Sequence, residues 1–278
     1  MPLGDHLLQA LTQDLELPGD GLGLTGGHVA WQERGPNGGP AEPSCRYADG
    51  KLTGSKGWVA GAGGARGFLV VAEGDAGPVL ALAEAGADGL SVEERRQADG
   101  SAMGELSFSG TPAGELASGG AVRAALAEAV NDATALAAAE LVGLSERAFE
   151  ITLDYIKTRE QFDKPIGSFQ VIQHRAVDLN VMCEVAQSGV REALGLMDRE
   201  TDPKARARLA SRAKARAVTA AKKITRDAIQ LHGAVGYTDE FEIALYLNRA
   251  LVLSAWLGDD AYHRRLWFEA REEEGAAQ

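Results

Sequence analysis

Near residue 120 the spacing of apolar residues switches to the helical period, and one pattern then runs unbroken from about 121 to 159. A helix that long spans roughly 55 Å at 1.5 Å per residue. It suits a compact protein only if equally long neighbours cover its apolar face. The downstream sequence supplies them. Helical patterns run over about 168–199, 203–233, 239–257 and 259–274, so the spacing predicts a bundle of long antiparallel helices. Thr201-Asp202-Pro203 marks one start, a capping side chain followed by a proline in the first turn.

Upstream of 120, glycine is dense and apolar runs are short. Strands are expected over 28–32, 51–53, 57–60, 68–72, 79–83, 90–93 and 104–109, punctuated by the turn pairs Asp49-Gly50, Asp88-Gly89 and Asp99-Gly100. The run Phe68-Leu-Val-Val-Ala72 is apolar throughout and reads as a strand buried on both faces. Seven short strands suggest a small barrel or sandwich. A short amphipathic helix over about 4–16 precedes them, followed by a glycine-rich turn. The expected class is therefore α+β. A residual helical segment (1–27) precedes a small antiparallel β domain (28–118), and a C-terminal bundle (119–278) follows.

Composition excludes several functions. With 45% hydrophobic residues the chain can bury a core, and its net charge of −12 argues against a nucleic-acid binder. Cys45 and Cys183 are far apart, fit no metal-ligand spacing and read as reduced thiols of a cytoplasmic protein. The N-terminus carries Asp5, Asp14 and Glu16 and lacks the plan of a signal peptide. No uncharged apolar run approaches the ~20 residues of a membrane span.

Three segments of the helical half could bind a ligand. Tyr155-Ile-Lys-Thr-Arg-Glu-Gln-Phe-Asp-Lys-Pro-Ile166 ends a long helix in an arginine, which could grip a phosphate or merely cap the last carbonyls. Ser168-Phe-Gln-Val-Ile-Gln-His174 could line a flat ligand or open a packed helix. Gln230-Leu-His-Gly-Ala-Val-Gly-Tyr237 has glycines that permit close backbone approach, or an ordinary helix end.

Their order and spacing resemble the C-terminal domain of the acyl-CoA dehydrogenase family over about 120–270. The family pattern is a long helix ending in R-x-x-F-G-x-P-I, then F/L-Q, then Q-x-x-G-G-x-G-Y. Gly54-Ser-Lys-Gly-Trp-Val59 resembles the GxKxWI strand of the family's middle β domain. The family's N-terminal helical domain is nearly absent. The resemblance implies an FAD held between two subunits, with Arg159, Gln161, Phe162, Ile166, Phe169, Gln170, Gln230, Gly233 and Ala234 gripping the pyrophosphate and adenosine of a neighbour's cofactor. Asp163 and Ala234 stand where the family has glycine, so the local backbone is expected to differ there.

The features that would hold the chain's own isoalloxazine ring are altered. The family's T-E-P-x-x-G-S loop is Gln32-Glu-Arg-Gly-Pro-Asn-Gly38 here. Trp58 matches the family's tryptophan beside the flavin, yet on its own it reads as a core residue. Ala60 replaces a threonine whose hydroxyl can bond the ring. α,β-Dehydrogenation needs a carboxylate to take the α proton while hydride leaves the β carbon for flavin N5. The usual positions for that base are Leu257, in Trp256-Leu-Gly-Asp-Asp260, and Ala133. Asp132 is a weak substitute, one residue and about 100° away on the helix. Asp132, Asp259 and Asp260 read as solvated or capping residues.

The resemblance thus implies a non-catalytic subunit of an α2β2 acyl-CoA dehydrogenase of the steroid-CoA type. Its partners would be a homologous catalytic subunit, an acyl-CoA and an electron-transfer flavoprotein, with no nucleic acid and no membrane. Two other readings stand beside it: a self-sufficient homo-oligomeric flavoenzyme with Asp132 or Asp259 as base, and a non-enzymatic assembly scaffold.

Overall fold

A computed structural model describes residues 9–10, 12–15, 27–33, 45–238 and 241–276. Among the described residues eight strands precede the first long helix: β1 (Gly27–Ala30), β2 (Arg46–Ala48), β3 (Lys51–Ala60), β4 (Gly67–Gly74), β5 (Gly77–Glu84), β6 (Leu90–Arg96), β7 (Ala102–Pro112) and β8 (Gly114–Ser118). They form one sheet in the order β6-β7-β3-β2-β4-β5-β8, with β1 also paired to β4. The sheet is mostly antiparallel, but β1 and β2 both run parallel to β4. The three-residue β2 links its two halves. Leu52, Val59, Leu106 and Phe108 from one half share a core with Phe68, Val70, Ala72, Val79 and Ala81 from the other. The small barrel or sandwich expected takes the form of one continuous sheet whose two halves share a common core. β4 is buried along most of its length, as its unbroken apolar run predicts.

The strands expected over 51–53 and 57–60 are a single strand, β3, with its register broken between Lys56 and Val59. Such a bulge adds a residue and re-aims the side chains beside it. Trp58 sits there with φ 58° and is 45% exposed, so it is not the core residue its composition suggested. Lys56 takes the buried place instead.

Five helices follow: α1 (Gly120–Thr158), α2 (Gln170–Met197), α3 (Pro203–His232), α4 (Ile243–Ala255) and α5 (Asp260–Ala276). α1 has 39 residues. The chain divides into two compact units, 1–133 and 134–278, with the division inside α1. In the second unit Ala135 packs with Met197 and Ala210, while Ala148 packs with Ala228, Ile229 and Ile243. α1 and α3 therefore run parallel, with α2 and α4 antiparallel to them. α3 is the central helix, and its buried face is largely alanine (Ala210, Ala213, Ala217, Ala220, Ala221, Ala228), which allows close helix approach. Asp202 caps it, accepting from the amides of Lys204 and Ala205 at 3.3 and 3.1 Å, with Pro203 in the first turn.

Among the described residues no helix is long and apolar enough to cross a membrane. Both cysteines are free and buried, and burial raises each thiol to about 11.

Candidate functional site

The segment after α1 is a small hairpin. The Arg159 amide continues the helical ladder to Tyr155 O at 2.8 Å, and the Ile166 amide returns to Arg159 O at 2.8 Å. Between them β9 (Glu160–Gln161) pairs antiparallel with β10 (Lys164–Pro165). The two turn residues, Phe162 and Asp163, have φ of 56° and 61°. A two-residue hairpin of this hand needs positive φ at both positions. Aspartate tolerates that conformation because its short side chain bonds locally, so Asp163 keeps the turn that a glycine would make. Phe162 is 86% exposed, its ring edge-on to Phe169 at 6.1 Å. Lys164 lies over the Phe169 ring at 4.3 Å. A Cβ on Gly167 would fall 2.8 Å from Ile156 O, so this turn requires glycine where it crosses α1.

The second segment ends α3. Gly233 turns the chain with φ 66°, its amide bonded to Gln230 O and Ile229 O. A 3₁₀ turn, Gly233–Tyr237, follows. Ala234 lies outside the left-handed region, so alanine costs nothing there. Both positions where glycine was expected thus keep a workable backbone.

His232 joins the two segments, a role its sequence context does not reveal. Its ring stacks on Tyr155 at 4.2 Å and lies 4.7 Å from Phe241, and Tyr155 OH donates to His232 O at 3.2 Å. Its Nδ1 bonds Ala228 O at 2.8 Å, and burial lowers its pKa. The C-terminal ends of α1 and α3 and the start of α2 therefore share one end of the unit. There Arg159, Gln161, Phe162, Gln170, Gln230, Gly233 and Ala234 are all exposed, and Ile166 and Phe169 are half-buried. The structure brings all nine candidate residues to this end. Their chemistry is a guanidinium fork, three amide side chains, two aromatic rings and an open glycine turn, suited to a long phosphate-bearing ligand.

The base positions look different. Leu257 is buried at φ 63° and followed by Gly258 at φ 103°. Asp259 caps α5, accepting from the Tyr262 amide at 2.8 Å. Asp260 pairs with Lys222 at 3.2 Å and Arg264 at 3.6 Å. Ala133 is buried, and Asp132 is half-buried with interactions of its own.

Beneath the Leu257 turn lies a polar cluster. The fully buried Lys214 donates to Leu253 O and Trp256 O at 2.6 and 2.7 Å, satisfying carbonyls at the end of α4. His263 bridges Ser211 Oγ at 3.2 Å and Leu257 O at 3.0 Å. Burial, with Lys214 adding to it, drives His263 down to about 4. Because the unfolded chain binds that proton near pH 6.5, stability present above pH 6.5 is lost as pH falls towards 4. The expected loss is about 3 kcal/mol. Urea unfolding at pH 7 and pH 4 checks it: His263→Gln should remove most of that loss, and an unaltered pH dependence would contradict the assignment.

In the first unit, Lys56 and Glu33 form a buried ion pair, and Lys56 Nζ lies 3.4 Å from Trp31 O. Burial lowers Lys56, opposed by Glu33. Ala60 offers no hydroxyl, and 34–38 of the loop expected beside a flavin lie outside the described residues.

The acyl-CoA dehydrogenase C-terminal domain family matches residues 121–270, more than half of the chain. The chain belongs to the acyl-CoA dehydrogenase family. This family member is 40% identical over 118 residues to the acyl-CoA dehydrogenase IpdE2 of Mycobacterium tuberculosis, covering 42% of the present chain and 35% of IpdE2. It thus spans about a third of the length of that curated relative. Among solved structures, a glycine-to-alanine variant of the Tcur3481–Tcur3483 steroid ACAD superposes with a TM-score of 0.79 at 28% identity, covering 99% of this chain and 82% of that one. The ChsE4–ChsE5 complex of Mycobacterium tuberculosis superposes with a TM-score of 0.74 at 25% identity, covering 91% and 66%. For this acyl-CoA dehydrogenase homologue the matched span includes both the nine-residue end and the Leu257 turn.

Proposed function

We propose that this chain is the non-catalytic subunit of a heteromeric, FAD-dependent acyl-CoA dehydrogenase acting on a bulky, steroid-derived CoA thioester. The observation that carries the reading is the exposed cluster of Arg159, Gln161, Gln170 and Gln230 at one end of the helical unit, set against a buried leucine at the base position. An added Cβ on Gly233 would meet nothing within 4 Å, so a ligand can approach that backbone closely. These residues fit the phosphate and adenosine end of FAD. Ala60 fits the isoalloxazine end poorly, since it lacks the hydroxyl donor expected there.

In this reading the cofactor supplies hydride acceptance, and a homologous catalytic partner supplies the base and most of the acyl site. Arg159 would hold the pyrophosphate through a charge-assisted fork, and Gln161 and Gln230 would hold the adenosine end. Electrons leave through an electron-transfer flavoprotein. The exposed Val177, Val181 and Val185 recur every four residues along α2, an apolar stripe that suits burial against another chain. The steroid ACAD, whose name pairs two components, supports a two-chain assembly and a steroid substrate, and the ChsE4–ChsE5 complex supports the two-chain assembly. Electron-transfer use and cytoplasmic location belong to the same proposal.

Purified alone, the chain should be colourless and inactive, and flavin absorbance should appear when it is co-expressed with a competent homologue from its own genome. Stoichiometric FAD and turnover in the isolated chain would instead favour the homo-oligomeric reading with an aspartate base.

A further inference from the structure

His232 closes α3 and is 3% exposed, yet one of its two ring nitrogens is left over. Nδ1 meets Ala228 O at 2.8 Å, and because a carbonyl only accepts, the neutral ring carries its proton on Nδ1. Nε2 then holds a buried lone pair with no hydrogen-bond partner among the described residues. The ring lies against Tyr155, 25° from parallel, and against Phe241, and those two rings stand edge-on to each other at 5.9 Å. A neutral imidazole fits this apolar stack. An imidazolium fits it poorly, because a proton on Nε2 finds no acceptor there and a buried, unpaired donor carries its full desolvation cost.

Burial accordingly holds the His232 pKa below its ordinary value, opposed by the Ala228 carbonyl. The groups around the ring are neutral or engaged elsewhere. Tyr155 comes from α1, Phe241 from the segment before α4, and Tyr246 of α4, in the adjoining cluster, bonds Arg147. Asp227, beside Ala228 on α3, pairs with Lys223, and Asp154, Lys157 and Glu242 are exposed. Two arms of the site hang on this stack. Tyr155 O receives the Arg159 amide at 2.8 Å, where the hairpin begins. His232 O receives the Tyr155 hydroxyl at 3.2 Å, directly before the Gly233 turn and two residues after Gln230.

We propose that His232 is a positioning residue that acts as an acid-sensitive latch. While neutral it holds the Arg159 and Gln230 arms at the spacing one dinucleotide needs; when protonated it leaves the stack and frees them. That the dinucleotide is FAD rests on the function proposed above, whereas the latch itself does not. Binding and protonation are linked in both directions, so a ligand gripped by both arms disfavours the protonated ring.

The full chain without ligand gives the first test. From about pH 7.5 down to about 5, above the range in which His263 titrates, NMR should show His232 titrating below about 6.5. Hydrogen-exchange protection of the Arg159 and Gly233 amides should fall with the same midpoint. His232→Phe keeps a ring in the stack and cannot take a proton, so both amides should lose their pH response; if that variant does not fold, the wild-type titration decides alone. In the two-chain assembly, FAD retention should weaken by up to about 10-fold for each pH unit below the His232 pKa. A His232 that stays neutral to about pH 5, a His232 pKa at or above about 6.5, or amide protection that ignores its titration would overturn the latch. Amides that open while FAD retention stays independent of pH would overturn its role towards the ligand. If Arg159→Ala leaves FAD unchanged, the cofactor assignment fails, and the free-chain titration still decides the latch.

Discussion

Lys56→Met is expected to destabilise the protein by about 3–5 kcal/mol, the usual consequence of breaking a buried ion pair from one side. The Lys56 side chain is fully buried and that of Glu33 is 8% exposed. Methionine keeps much of the stem packing and removes the ammonium, so the loss reports the charge rather than a cavity. The Glu33 carboxylate then loses the Lys56 ammonium in a low-dielectric site. Changing both partners, Lys56→Met with Glu33→Gln, should recover most of the loss, because two neutral groups of similar shape avoid the desolvation that the pair must offset. A double-mutant cycle in urea measures the coupling directly. A Lys56→Met protein with unchanged stability would mean that the pair contributes nothing to the fold of the β unit.

That pair illustrates where reading the sequence stops. Lys56 falls between two expected strands with nothing to mark it for burial, and Trp58 reads as a core residue. Two features reverse this, and both are non-local. The bulge between Lys56 and Val59 depends on pairing with β7, and the counter-charge arrives from Glu33, 23 positions upstream. The same limit hides the Lys214–His263–Ser211 cluster, whose hydrogen-bonded partners stand 39 and 52 positions apart. β2 and β8 also escape notice. One has three residues, and the other carries no fully buried side chain to mark its face. By contrast, every long helix is legible, because a 3.6-residue pattern repeated over many turns overwhelms local noise and Asp202-Pro203 marks a start in its own chemistry. The motif after α1 is legible as contiguous residues, but its hairpin is not: the sequence marks a helix stopped by proline, with Asp163 where a glycine is usual. The site at the ends of α1 and α3 is thus readable as a set of residues. Its assembly through His232 and Tyr155 is not.

In the two-chain assembly proposed above, Arg159→Ala should reduce FAD retention by about 10- to 100-fold, the loss expected for a charge-assisted fork to a phosphate. The side chain is exposed and lies just past the last helical residue of α1, so its removal leaves the core intact. Flavin content after gel filtration, together with the FAD concentration needed to restore activity, reads the effect. Gln230→Ala should add to it, since this amide stands on another helix and would engage a different part of the dinucleotide. Arg159→Lys separates charge from geometry: an ammonium keeps the attraction but cannot offer two parallel donors, so an intermediate loss is expected. The double variant Arg159→Ala with Gln230→Ala also discriminates between roles for the chain. If this subunit only scaffolds its partner, the complex keeps its flavin when both side chains are gone. If it donates half of a shared cofactor site, the complex still assembles through the α2 face but elutes pale, and added FAD restores colour and turnover together.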